Sequence, residues 1–221
     1  PQSLPLVKEA LLAFSEQLRE QDRISIVTYA SGTRVLLESV PGDHKAQIRE
    51  ALQSLQASGS TAGASGLRLA YEQARRGFIE GGINRILLAT DGDFNVGVTD
   101  IEQLKEIVAA ERRRGIGLST LGVGHASYND ALMEQIADVG DGKYSFLDTP
   151  AEARKVRVDE FTSTLATIAQ DVKLQVEFNP AVVKEYRLVG YDNRRLGRED
   201  FANDQVDAGD GGGGHRVAAV Y

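Results

Sequence analysis

The sequence predicts an α/β chain built on a doubly wound, parallel-rich sheet. Three observations carry this. The stretch Arg85-Ile86-Leu87-Leu88-Ala89-Thr90-Asp91-Gly92-Asp93 holds an unbroken apolar run that stops at turn residues. That is the pattern of a short strand buried on both faces, as in a parallel sheet covered by helices. Strand-like and helical segments alternate as far as Ala169, which argues for crossover connections. Sustained two-residue alternation appears only after Asp171, where Val172, Leu174, Val176 and Phe178 alternate with polar residues.

The elements follow in order. Leu4, Val7, Leu11, Phe14 and Leu18 form a helical stripe. Ile24 to Ala30 is β-branched and strand-like. Ser31-Gly32-Thr33 turns the chain into a second strand at Val35-Leu36-Leu37, close enough for an antiparallel hairpin. Asp43 is placed to cap a helix running to about Leu55. The small-residue loop from Ala57 to Gly63 enters a long helix carrying Leu67, Leu69, Ala70, Ala74 and Phe78. After the central strand, a helix is expected from about Asp100 to Arg114. A strand then covers Leu118 to Gly124, a short helix Tyr128 to Ala137, and an edge strand Gly142 to Leu147. A further helix is expected over about Pro150 to Ala169.

Beyond it, the alternating segment, a second strand near Tyr186 to Tyr191 and a third at Val217 to Tyr221 read as an antiparallel β module. Between them, Arg194 to Gly214 is polar and contains the run Gly211 to Gly214. The expected division is residues 1–167 for the α/β domain and 168–221 for the β-rich extension.

Composition narrows the function. The chain has 221 residues, 42% apolar and 26% charged, as in a soluble globular domain. No apolar run is long enough to span a bilayer. A net charge of -7 argues against nucleic acid as a partner and suits a cation or a basic ligand better. With no cysteine, disulfides, thiol catalysis and cysteine-ligated zinc are excluded, while the compartment stays open. His44, His125 and His215 are dispersed and read as loop residues. Arg112-Arg113-Arg114 ends a helix, where cations complement the dipole, and reads as a solvated face.

In open α/β sheets, ligands bind beyond the carboxyl ends of the strands. Asp91 and Asp93 stand at such an end. Carboxylates there, with the hydroxyls of Ser60 and Thr61 at a helix entrance, suit a hard cation with oxygen ligands. The plain alternative is that the aspartates form a turn and the hydroxyls cap a helix.

Three pieces taken in order resemble a von Willebrand factor A domain. They are Gly59-Ser60-Thr61-Ala62-Gly63, Leu88-Ala89-Thr90-Asp91-Gly92 and Ser119-Thr120-Leu121-Gly122-Val123-Gly124. The wider run from Ala89 to Gly97 resembles a bacterial branch in which a β-rich extension follows the domain. The resemblance implies a metal-ion-dependent adhesion site holding Mg²⁺, with Mn²⁺ or Ca²⁺ as alternatives. Three loops form that site in the family. The first carries Asp-x-Ser-x-Ser after the first, central strand, the second a Thr, and the third an Asp.

By similarity, Thr61 matches the second loop and Asp91 the third, with Ser60 and Asp93 as alternative ligands or outer-shell residues. The Asp-x-Ser-x-Ser element is absent, so this chain alone, with one Thr hydroxyl and one carboxylate, is expected to bind the cation weakly or not at all. The chain opens just before the helix that follows it in the family, so it reads as a piece of a longer protein. The implied function is a non-enzymatic interaction module whose cation takes a carboxylate from a partner protein, at the bacterial periplasm or cell envelope. Two other classes compete: a Mg²⁺-dependent phosphoryl-transfer or hydrolytic enzyme using Asp91 and Asp93, and an assembly module that needs no metal. Gly-x-x-x-x-Gly-Lys-Ser/Thr is absent, and no Gly-x-Gly-x-x-Gly follows the central strand to favour the enzyme.

The missing strand carries an expectation of its own. In the family it lies between the strand at Ile24 to Tyr29 and the strand at Ile86 to Ala89. These two should therefore face a gap with open edges, at a cost in stability.

Overall fold

The computed structural model describes residues 3–29, 32–56, 63–90, 101–123, 130–147, 167–169, 175–187, 189, 196–197, 200 and 211–212. Helix α1, Ser3–Ser15, is rich in Leu and Ala and carries its proline, Pro5, in the first turn, where no intrahelical N–H is lost. Strand β1, Arg23–Tyr29, pairs antiparallel with β2, Thr33–Pro41. The pairing slips between Ile24 and Val27. Opposite the slip, Ser39 has a φ of 42° and its N–H donates to the Ser25 hydroxyl at 2.9 Å.

Helix α2, Lys45–Gln53, follows. Its N-cap is His44, with no side-chain cap hydrogen bond, so Asp43 does not cap it as expected. The Lys45 ammonium instead donates to the Ser15 and Leu18 carbonyls at 2.5 and 2.6 Å, satisfying the end of α1.

Helix α3, Gly63–Arg76, leads to β3, Asn84–Thr90. Helix α4, Ile101–Arg112, β4, Ile116–Val123, α5, Asp130–Val139, and β5, Tyr144–Leu147, complete the α/β unit. Strands β3, β4 and β5 form one parallel sheet in that order. Helices α3, α4 and α5 cover one face through Leu67, Tyr71, Val108 and Ile136, which pack with Leu88 and Leu118. Helix α1 covers the other face, where Leu6 packs on Leu121 and Val123. A third cluster joins α2 to the hairpin through Leu37, Ile48 and Leu52. Gly142 fits the α5–β5 turn because a Cβ there would run into the Leu118 carbonyl.

Several expectations are corrected. The deeply buried strand is β4, not β3, most of whose residues are only half-buried. The reason is a gap. Among the described residues β1 pairs only with β2, and β3 only with β4. A cavity of about 920 Å³ runs between β1 and β3, lined by every residue of both strands. Thr167–Ala169, expected to end a helix, is strand β6. It pairs antiparallel with β7, Gly211–Gly212, inside the polar stretch Arg194 to Gly214.

Residues 175–179 have no regular structure, and Tyr186 none either. The expected Val217–Tyr221 strand, and most of the Pro150–Ala169 helix, lie outside the described residues. Phe78 falls beyond α3 and is 43% exposed. The arginines at the end of α4 are not simply solvated. Arg114 and Arg75 both donate to Glu111 Oε1, at 2.9 and 2.6 Å, and the Arg112 guanidinium lies 3.5 Å from Asp141.

That α3–α4 contact yields a prediction. Tyr71 is 1% exposed and its hydroxyl has no hydrogen-bond partner. Burial, reinforced by the Glu111 charge, pushes its phenol well above the usual range. A folded pKa above the unfolded value near 10 means full stability below about pH 10 and progressive loss above it, at about 1.4 kcal/mol per pH unit. Tyr71→Phe removes an unsatisfied buried hydroxyl, worth about 1–3 kcal/mol. It is expected to melt no lower than the parent at pH 7. Urea titrations at pH 8 and pH 11 should show a smaller alkaline loss in the variant. An equal loss would mean that Tyr71 ionises freely in the fold.

Candidate metal-binding rim

The parallel pairing of β3 with β4 brings Thr90 and Val123 to the same rim of the sheet. Both are buried. Tyr29, the last residue of β1, reaches the same place. Its hydroxyl donates to the Ala89 carbonyl at 2.5 Å, a side chain spanning the gap between two strands that share no ladder. The first turn of α3 packs down onto this tyrosine. Gly66 permits the approach, since a Cβ there would come within 2.6 Å of the Tyr29 Cβ. Gly63, the first residue of α3, is also buried. The amino end of α3 and the carboxyl ends of β1 and β3 are thus braced together.

Below the rim, the Thr120 hydroxyl donates to the Met133 carbonyl at 2.9 Å and ties β4 to α5. The first turn of α3 carries no acidic residue, so the helix's own side chains leave its positive end uncompensated.

The candidate ligands Ser60, Thr61, Asp91 and Asp93 lie outside the described residues. They belong to the segments that enter α3 and leave β3, the two elements Tyr29 ties together. Among the described residues no group of three His, Asp or Glu side chains could hold a metal ion. The four candidates belong to residues 57–62 and 91–100. Their donors, hydroxyls and carboxylates, are hard oxygens that fit Mg²⁺ or Mn²⁺ with water filling the remaining positions. His44 is exposed at the start of α2, while His125 and His215 lie outside the described residues.

Sequence reasoning missed Tyr29 and the brace it makes. The available signal was an aromatic residue closing a β-branched run, with glycine and alanine on the facing helix.

The family model for the von Willebrand factor type A domain matches residues 1–164. The chain belongs to the von Willebrand factor type A family. A second model, for the C-terminal region of the uncharacterized protein YfbK, matches residues 163–221. The chain is 54% identical to the uncharacterized protein YfbK of Escherichia coli (strain K12) over 218 residues, covering 99% of this chain and 38% of that protein. It thus spans under two fifths of the curated relatives it matches.

Among solved structures, a von Willebrand factor type A protein from Catenulispora acidiphila superposes with a TM-score of 0.63 at 20% identity. That match covers 76% of this chain and 39% of the other. Proximal thread matrix protein 1 of the mussel byssus, solved with a zinc-occupied MIDAS motif, gives a TM-score of 0.55 at 15% identity, covering 69% and 40%. At these identities the likeness is one of fold.

Proposed function

We propose that this chain is part of a metal-dependent protein-interaction module, with Thr61 and Asp91 holding a divalent cation at the carboxyl rim of the sheet. The observation that carries the reading is the brace from α3 through Tyr29 to Ala89, which joins the two elements flanking these residues. The family membership and the metal-occupied motif of the byssus protein support it.

In this reading the Asp91 carboxylate supplies the charge and Thr61 a neutral oxygen. Ser60 and Asp93 hydrogen-bond around them and orient the ligands. The cation, when bound, offers an open position to an acidic side chain of a partner protein. Tyr29 holds the end of β3 by its hydrogen bond to Ala89, and the uncompensated amino end of α3 favours the incoming carboxylate. The surrounding loops select the partner. The same proposal assigns the whole protein to the bacterial periplasm or cell envelope, which fractionation of cells carrying the tagged full-length protein would test. No described helix is long and apolar enough to cross a membrane.

The deciding experiment is a calorimetric titration of the metal-stripped full-length protein with Mg²⁺ and Mn²⁺, expected to give a saturable one-site isotherm. Absence of heat and of any metal-dependent rise in melting temperature would remove the metal and leave an assembly module. Metal-dependent phosphate-ester turnover that disappears in Asp91→Asn would replace the reading with the enzyme.

A further inference from the structure

Helix α3 runs away from the rim, and one side of it is charged. Arg68, Glu72 and Arg76 stand four residues apart along that side. Glu72 pairs with Arg76 at 2.6 Å, and Glu38 of β2 reaches the same guanidinium at 2.9 Å. Both carboxylates thus go to the end of the helix farthest from the rim. The preference has a physical cause. A glutamate four residues ahead of its cation is the favoured order in a helix, whereas Arg68 stands four residues ahead of Glu72, the weaker order. Arg68 is left exposed and makes no ion pair among the described residues.

Arg68 lies five residues into α3, about 7.5 Å along the axis from Gly63. Helical side chains lean toward the amino end of their helix, so this one leans toward the rim. The first turn of α3 carries no acidic side chain to neutralise it. Arg68 therefore adds a full positive charge to the positive end of the helix dipole. In a chain of net charge -7 this is a local reversal of sign.

We propose that Arg68 reads a second acidic side chain of the partner, so that the segment taken at this rim is diacidic. One carboxylate completes the cation, and another, on the α3 side, meets the Arg68 guanidinium. The proposal rests on the metal-site reading above. A guanidinium is a planar fork of donors that matches a carboxylate. At an exposed rim such a pair is weak and screened by salt. It sorts partners rather than holding them: a second acid in place is favoured, and a lysine there is repelled.

Arg34 supplies a control. It is exposed as well and pairs with Thr28 at the same end of the sheet. Thr28 points to the face of β1 opposite Tyr29, and Tyr29 is the residue beneath α3. Arg34 thus carries the same charge on the face turned away from α3.

The test uses the full-length protein and two sets of trifluoroacetylated peptides, read by fluorine NMR, which follows weak binding. One set has two glutamates separated by one to four alanines. In the other, glutamine replaces the second glutamate. In Mg²⁺ and low salt, at least one spacing is expected to bind about three- to fivefold tighter than its single-glutamate counterpart. That preference should vanish at about 0.5 M salt, and a chelator should release both peptides. Arg68→Gln is expected to bring the ratio to about one, and Arg68→Glu to invert it, with the diacid binding more weakly. Arg34→Gln should leave the ratio as it was. Mg²⁺-dependent binding without preference at any spacing, a preference that survives Arg68→Gln, or an equal loss in Arg34→Gln would overturn the role of Arg68 and leave the metal site standing. Absence of Mg²⁺-dependent binding in both peptide sets would overturn the two together.

Discussion

Asp91→Ala is expected to abolish divalent-cation binding by the full-length protein, measured by calorimetric titration. Mg²⁺ prefers hard oxygens, and the carboxylate supplies both an oxygen and a full charge. At an effective dielectric near 20, two unit charges 4 Å apart interact by about 4 kcal/mol. At about 1.4 kcal/mol per factor of ten, losing that much weakens binding by close to three orders of magnitude, and a dication loses more. The Thr61 hydroxyl alone cannot replace it. Asp91→Asn keeps an oxygen and removes the charge, so it should fall almost as far. Thr61→Ala removes one neutral ligand and should lose roughly tenfold, the scale of a hydrogen bond to a charged group. Asp93→Asn and Ser60→Ala should stay within a few-fold. An unchanged isotherm in Asp91→Ala would exclude this residue as a ligand. Loss in Asp93→Asn instead would exchange the two roles.

The α/β order was legible because its helices and strands carry different apolar periods. The stripe Leu4, Val7, Leu11, Phe14 and Leu18 identified α1, and these residues line the cavity beside β1 and β3. What the stripe could not reveal was Leu6, which lies off it and packs on β4. A helix bordering both a cavity and a sheet has a wider apolar arc than one row of residues. Burial was misassigned between β3 and β4 for a related reason. Ile86-Leu87-Leu88-Ala89 is the more apolar run, yet exposure depends on neighbours. β3 has one only on the β4 side among the described strands, whereas β4 lies between β3 and β5.

Composition also misled where local contacts decide. His44 rather than Asp43 ends up as the N-cap of α2, and Gly211–Gly212 pairs with Thr167–Ala169 although glycine disfavours strands. At the rim, hydroxyls and carboxylates in loops pointed to a hard-cation site. The brace that brings those loops' flanking elements together depends on a hydrogen bond between residues 60 positions apart, which no local pattern encodes.

A longer chain, in which the apolar strand that the family resemblance puts between β1 and β3 is joined ahead of α1, is expected to melt about 10–20 °C above the 221-residue chain. Open edges alone do not set this difference. Both β1 and β3 are largely half-buried, so water reaches part of the cavity and can satisfy backbone groups there. The full cost of about 1–3 kcal/mol per buried unpaired group therefore does not apply at every position. Apolar surface contributes more. Ile24, Ile26, Val27, Ile86 and Leu87 are only partly buried, although complete burial of such a side chain is worth about 1.5–3 kcal/mol. Burying the remainder of these five, together with the new strand's own side chains, offsets the entropy of ordering it and leaves roughly 5 kcal/mol. For a chain of this size each kcal/mol moves the midpoint by about 2–4 °C. Differential scanning calorimetry of both chains, with light scattering to follow association through the open edges, checks this. If the shorter chain is monomeric and melts cooperatively as high as the longer one, the space between β1 and β3 closes without a strand, and the sheet has a different order in solution.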